Sequence, residues 1–324
     1  MPKVSVIIPV YGVERYIARC SKSLFEQTLD DIEYIFIDDC SPDKSIQVLK
    51  EVIKDYPHRH SQIRIERMPH NCGLPQVRKV GVGLATGDYI IACDSDDYID
   101  RNMYMVMYEY AVNNDCDLVQ CDLDVVDDTH VLHTFSASKD DVTSDILRGL
   151  IIDGEISNSL CNKLVKRDIY CNKELAFPTV GMDEDNALAI QLAFFSQRLG
   201  YVKKPFYKAY QNPESMSRVP GNEQINKRYK ESLQNSRMVI DFLTRHGYED
   251  NSKAIIRAKL RPKMVLTPVI SKVEYINLWK ETYSEINSVV VFDKRLPRSI
   301  RIKSLLIQLY CYPLFIRIKK TFKK

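Results

Sequence analysis

The ten residues DYIIACDSDD, positions 88–97, decide how the rest of the chain is read. Asp88–Cys93 is a short apolar run, the pattern of a buried strand. It leads directly into Asp94, Ser95, Asp96 and Asp97. The same pattern occurs twice upstream. Val4–Val10 (VSVIIPV) ends in Tyr11 and Gly12, and Glu33–Ile37 ends in Asp38 and Asp39. Between these runs the apolar positions recur at helical spacing: Tyr16, Ile17, Cys20, Leu24 and Phe25 within 13–27, then Ser45–Tyr56, then Gly73–Ala85 stopped by Gly87. Ile63–Glu66 adds a short strand, Asn102–Asn113 a helix and Asp117–Cys121 another strand. Alternating strands and helices predict an α/β fold, a largely parallel sheet between helices.

In such sheets ligands bind at the carboxyl ends of the strands. Here those ends carry several aspartates, and crowding acids at one sheet edge is costly unless a cation compensates. No glycine-rich loop follows the first strand, which disfavours a P-loop or a nicotinamide site. Gly81, Gly83 and Gly87 precede a strand and read as packing and helix-end glycines. Beyond residue 122 the pattern loosens. Residues 122–142 have room for further strands and a loop over the site. Thr143–Ile152 and Glu184–Gln197 read as helices, and Gly200–Lys204 and Phe206–Tyr210 as two short strands. From Ile225 the chain is long, charged and helical. The stretch Arg218-Val219-Pro220-Gly221 marks a boundary between a region 1–218 and a helical region 219–324.

Composition narrows the class. The 324 residues are 45% hydrophobic and 27% charged, a globular balance with room for two domains. No apolar run reaches the ~18 residues of a membrane-spanning helix. The opening apolar run is too short for an export signal and reads as a strand, so a cytoplasmic protein is expected. Nine cysteines without a C-x-x-C pair suggest reduced, mostly buried thiols, and His58 and His60 read as loop residues before zinc ligands. The net charge of +3 conceals a segregation. Nine basic residues and no acidic one lie in 295–324: Arg295, Arg298, Arg301, Lys303, Arg317, Lys319, Lys320, Lys323 and Lys324. They bracket the apolar run Leu305–Ile316, interrupted by Pro313. This suits the inner-leaflet surface of an anionic membrane, or a helix packed on the body with a solvated basic end. Nothing else in the chain is basic in that way, so nucleic acid is disfavoured as a partner.

At this point the residues resemble a family. VSVIIPVY (4–11), Gln27-Thr28, IDDCSPD (37–43), Asn71-Cys72-Gly73, Arg78, ATGDYI (85–90) and DSDD (94–97), in this order, are similar to family 2 glycosyltransferases. Asn162-Lys163-Leu164 and Glu184-Asp185 fit its bacterial envelope and exopolysaccharide members. The resemblance covers about 3–215. It implies a GT-A fold, a nucleotide-sugar donor, Mn2+ or Mg2+, and inversion at the anomeric carbon. The family commonly has Asn where Gly12 stands, Gly where Cys40 stands and Asn where Lys79 stands. The last third of the chain matches no pattern.

On this resemblance, Pro9, Val10 and Tyr11 face the nucleotide, with Tyr11 stacking on the base and Asp39 accepting from an imide N–H. Arg78 resembles the family's phosphate-contacting arginine. Asp96 is the expected metal ligand, with Asp94 beside it at metal or ribose and Ser95 between them, because hard divalent cations prefer carboxylate oxygens. Asp97 reads equally as a helix cap. Inversion needs a base opposite the leaving group. Asp185 is the candidate and Glu184 its orienting neighbour, although Asp183 leaves the register open by one or two residues. The expected partners are a nucleotide-sugar, probed first as UDP-sugar, and a glycan or lipid-linked acceptor. Competing readings are a sugar nucleotidyltransferase, which lacks its glycine-rich loop here, a phosphoacceptor domain, which is far shorter, and an inactive scaffold. The donor sugar, acceptor and oligomeric state are not legible.

Overall fold

The structure, a computed structural model, describes residues 1–137, 141–212 and 221–315. Arg218, Val219 and Pro220 of the expected boundary, and Ile316, Arg317, Lys319, Lys320, Lys323 and Lys324 of the tail, lie outside the described residues. The chain divides into two compact units, Met1–Met216 and Ser217–Lys324.

The first unit begins as the sequence pattern predicts: β1 (Val4–Val10), α1 (Ile17–Phe25), β2 (Ile32–Asp38), α2 (Ser45–Lys54), β3 (Ile63–Arg67), α3 (Leu74–Leu84) and β4 (Tyr89–Ala92). β1 runs parallel between β2 and β4, with Val10 opposite Asp38 and Ile7 opposite Ala92. Val4, Val6, Ile8 and Val10 face one cluster and Ile7 another, so β1 is buried on both sides. Each such fully buried Val or Ile contributes about 1.5–3 kcal/mol. α3 lies close against the sheet at Gly81, where a Cβ would sit 2.4 Å from Ile7 Cγ2. Gly87 is likewise pressed on Ser5, but Gly83 has open space around it and has no packing role.

Then follow β5 (Tyr98–Ile99), α4 (Met103–Asn113), β6 (Leu118–Val126), β7 (Val131–Phe135), α5 (Ser144–Ile152), β8 (Lys163–Lys166), α6 (Arg167–Tyr170), α7 (Glu184–Phe195) and β9 (Leu199–Tyr210). The nine-stranded sheet has the order β3-β2-β1-β4-β8-β6-β9-β5, with β7 paired to β6. β8 is antiparallel to both β4 and β6 and joins the parallel β3-β2-β1-β4 block to the parallel β6–β9 pair. The two short strands expected in 200–210 are one strand. An irregularity between Cys121 and Leu123 in its pairing with β6 accommodates the exposed Lys203, Lys204 and Pro205, which break the apolar run.

The second unit is helical: α8 (Asn222–Arg245), α9 (Lys253–Val265), α10 (Val273–Glu281), α11 (Asn287–Phe292) and α12 (Arg298–Gln308). Its core gathers Leu260, Leu266, Ile270, Ile276, Trp279, Val290, Leu296 and Ile307. Ser252 caps α9 through its hydroxyl and Ile255 N–H. Among the described residues no helix is long and apolar enough to cross a membrane.

Candidate active site

The sheet brings the three strand ends together. Asp39 N–H donates to Val10 O at 3.0 Å and Cys93 N–H to Ile7 O at 2.9 Å, so the loops after β1, β2 and β4 start side by side. Tyr11 stands 44% exposed at this edge. The loop after β2 holds the loop after β1: Ser41 Oγ accepts from Gly12 N–H, Asp43 from Glu14 N–H, and Ser45 Oγ from Val13 N–H. Burial pushes the Asp43 carboxyl up, but hydrogen bonds from Ser45, Glu14 N–H and Ser41 prevail and hold it below the usual carboxylate range. A cavity of about 330 Å³ lined by Gly12, Glu14, Arg15, Tyr16 and Asp43 opens beside these loops.

The two loop departures from the family pattern both fall at left-handed backbone positions. Gly12 has φ +66° and Cys40 φ +58°, both left-handed. Gly and Asn are the residues that tolerate this region best. Cys40 therefore carries strain that a glycine would not, offset in part by its thiol donating to Met68 O. Cys40→Gly is expected to raise stability by about 0.5–1 kcal/mol in chemical denaturation.

Asp39 is buried, and both its carboxylate oxygens accept backbone N–H groups, from Cys72 at 2.7 Å and Gly73 at 2.9 Å. It thereby anchors the start of α3. One turn along α3, Arg78 is 3% exposed. Its Nη1 donates to Glu184 Oε1 and to Asp185 Oδ1, and its Nη2 to Asp94 Oδ1 at 3.1 Å. One guanidinium thus joins the acid loop after β4 to the first turn of α7. Arg78 does not stand open to solvent as a bare phosphate contact would. Burial works against its charge, yet Asp185 and Asp94 hold its pKa up. Glu184 is buried, whereas the Asp185 side chain is 30% exposed. Asp183, with φ +64°, is the turn into the helix, so the register that faces Arg78 is Glu184 and Asp185. Asp94 is pushed up to about 6 by burial and by the charges of Asp185 and Asp96, against the pull of Arg78.

Several residues that hold this site carry no local signal. Tyr207 on β9 donates to Asp97 Oδ2 at 2.7 Å and accepts Asp94 N–H at 3.0 Å. Asp97 also accepts Tyr210 N–H at 2.6 Å and is buried. It caps no helix; it ties β9 to the acid loop. The Arg19 guanidinium lies between the rings of Tyr98 and Tyr210 and donates to Asp96 O. Ser95 is buried within the same loop. Lys163, of the Asn162-Lys163-Leu164 motif, is buried and donates to Ser157 O, Ser159 O and Asn162 Oδ1, and burial lowers its pKa to about 8. Tyr207→Phe removes two hydrogen bonds of the acid loop. It is expected to cost about 2 kcal/mol in thermal denaturation and to slow turnover by shifting Asp94 and Asp96.

Do these residues fit a divalent ion? Asp94 spends one oxygen on Arg78, and Asp96 one on Asn212 Nδ2 at 3.2 Å. The other oxygen of each has no hydrogen-bond partner among the described residues. Both side chains are partly exposed. No group of three or more His, Cys, Asp or Glu gathers as a closed cage among the described residues. An open set of two carboxylates suits Mg2+ or Mn2+ that takes its remaining oxygens from phosphate and water.

The profile "Glycosyl transferase family 2" matches residues 5–157. EpsJ of Bacillus subtilis, an uncharacterized glycosyltransferase, is 40% identical over 37% of this chain and 34% of its own length. EpsH of the same organism is 32% identical over 64% of this chain and 60% of its own length. The chain thus spans less than two thirds of either relative. Among solved structures, S. aureus TarS 1–349 in complex with UDP-GlcNAc superposes with a TM-score of 0.61 at 19% identity, covering 96% of this chain and 89% of that one. The mannosyltransferase PcManGT from Pyrobaculum calidifontis, in complex with GDP-Man and Mn2+, gives 0.55 at 13% identity, covering 96% and 87%. The fold is GT-A, and residues 5–157 match the glycosyl transferase family 2 profile.

Proposed function

We propose that this protein is an inverting glycosyltransferase. It moves a sugar from a UDP-sugar to a hydroxyl of a glycan or lipid-linked acceptor in envelope, capsule or exopolysaccharide synthesis, at the cytoplasmic face of a membrane. One observation carries the reading: Arg78 binds Asp94 at the end of β4 and Glu184 and Asp185 at the start of α7. A donor-side carboxylate and an acceptor-side acid pair are thereby held on opposite arms of one cation. TarS, described with UDP-GlcNAc, supports a uridine donor, and PcManGT, described with Mn2+, supports a metal.

Each residue then has a task. Tyr11 stacks on the base while Pro9, Val10 and Asp39 shape its seat, Asp39 by fixing the 72–73 backbone. Asp96 and Asp94 would hold Mn2+ or Mg2+, which when bound supplies positive charge to the diphosphate. Asp185, the accessible member of the pair, takes the proton from the acceptor hydroxyl. The acceptor oxygen bonds to the anomeric carbon from the face opposite the diphosphate. The carbon–oxygen bond to the phosphate breaks, and its electron pair leaves with UDP. Glu184, buried against Arg78, is a positioning residue. Arg78 neutralises the acids while the site waits for donor.

The test is UDP release from a panel of UDP-sugars, with Mn2+ or Mg2+ and with excess chelator. Turnover of at least one UDP-sugar is expected with metal and its loss in chelator. Sustained turnover in chelator would overturn the Asp94 and Asp96 assignment. Failure to bind or turn over any nucleotide-sugar would overturn the whole reading.

A further inference from the structure

α12 is apolar on two sides. Toward the core it buries Ser304 and Ile307, and Ile300 packs on the cluster that holds Trp279, Val290 and Leu296. Toward solvent, Ile302, Leu305 and Leu309 are 45%, 40% and 59% exposed. Their spacing of three and four residues places them in one stripe. A helix already seated on a core is ordinarily polar on the side that faces water. Beyond the helix end Leu314 and Phe315 are exposed as well. The stripe is also framed by charge of one sign. Arg298, exposed, lies one turn before Ile302, and the half-buried Arg301 and Lys303 flank it. No acidic residue follows Asp293 anywhere in the chain.

We propose that this outer stripe of α12 docks on an anionic lipid bilayer. The helix lies in the headgroup plane, with Ile302, Leu305 and Leu309 dipping toward the acyl chains and Arg298, Arg301 and Lys303 reaching the phosphates. Eleven residues of helix, roughly 16 Å, are far short of a span, so the mode is surface binding. Charge argues against a second copy as the occupant. Two such faces brought together would oppose basic residues with no acid to pair them, whereas anionic headgroups complement them. The sequence pattern left a choice between membrane contact and packing on the body; the structure shows α12 packing through one side with a second apolar side left over. The proposal specifies the membrane-side placement above and is independent of sugar transfer, since vesicle binding and donor turnover are read separately and either can fail alone.

The test uses the full chain and two sets of vesicles, phosphatidylcholine alone and an equal mixture with phosphatidylglycerol. The wild type is expected to sediment with the anionic vesicles about ten-fold more tightly than with the neutral ones, and less so as salt rises. Replacing Ile302, Leu305 and Leu309 together by Ser should weaken that binding about ten-fold or more. Because these side chains face solvent, the emission of Trp279 should not change. Arg298→Glu, which leaves the apolar stripe intact, should also weaken binding and flatten its salt dependence. Equal binding to both vesicle sets, or a triple variant that binds as the wild type does, overturns the proposal. So does a wild type that ignores vesicles but is a dimer that the triple variant dissociates; that result assigns the stripe to a second copy.

Discussion

Asp185→Asn should retain nucleotide-sugar binding and lose transfer by a factor of about 10²–10⁴, the usual contribution of a general base, or roughly 3–5 kcal/mol of transition-state stabilisation. The substitution is nearly isosteric. Its amide oxygen can still accept from Arg78 Nη1, so the junction among Asp94, Arg78 and α7 stays in place. What disappears is the ability to take a proton from the acceptor hydroxyl. Glu184 cannot substitute, because it is buried against Arg78 while Asp185 alone is partly open. Calorimetric titration with UDP and initial rates of sugar transfer separate the two effects. A variant that transfers at the wild-type rate removes Asp185 from the chemistry. One that loses UDP binding as well assigns it to the architecture of the site.

The residues that meet at this sheet edge were legible in the sequence by type but not by partner. Strand ends that run into aspartates are local features, and Val4–Val10, Asp38-Asp39 and Asp94–Asp97 fall at the sheet edge for that reason. Pairings that span the chain leave no such trace. Arg78 meets Glu184 across 106 residues, and Tyr207 meets Asp97 across 110. A tyrosine in an apolar run reads as core, and Tyr207 is indeed fully buried; only its hydroxyl sets the acid loop. β8 went unread because lysines begin and end it, and the buried first one, Lys163, spends its charge on two backbone carbonyls and a side-chain amide. The resemblance implies a phosphate contact for Arg78, and nothing local to it signals the distant acids that surround it. Gly12 and Cys40 were visible as departures, yet the left-handed backbone angle they share is one that no residue type declares.

Lys263→Met should destabilise the second unit by about 2–6 kcal/mol, the cost of leaving two buried carbonyls without their donor. Lys263 is fully buried on α9. Its Nζ donates to Trp279 O and Thr282 O at the end of α10 and to Asn287 Oδ1 at the start of α11, and lies 4.2 Å from the Trp279 ring. One amine thus closes the gap between two helices, and Gln308 of α12 is bound to the same Asn287 through its carbonyl. Methionine fills the stem's volume but leaves two buried carbonyls without that donor, at about 1–3 kcal/mol each. Trp279 is the sole tryptophan, so its emission during denaturant unfolding reports this unit directly. The pH dependence gives a second reading. Burial lowers the Lys263 pKa to about 7, against the pull of Glu285, while the unfolded side chain titrates near 10.4. Between these values the unfolded state binds more protons, so stability rises with pH from about 7 to 10, and below about 7, where both states are protonated, the contribution is flat. The methionine variant should lack that slope. A wild type and variant with equal midpoints and parallel pH profiles would show that Lys263 holds nothing together.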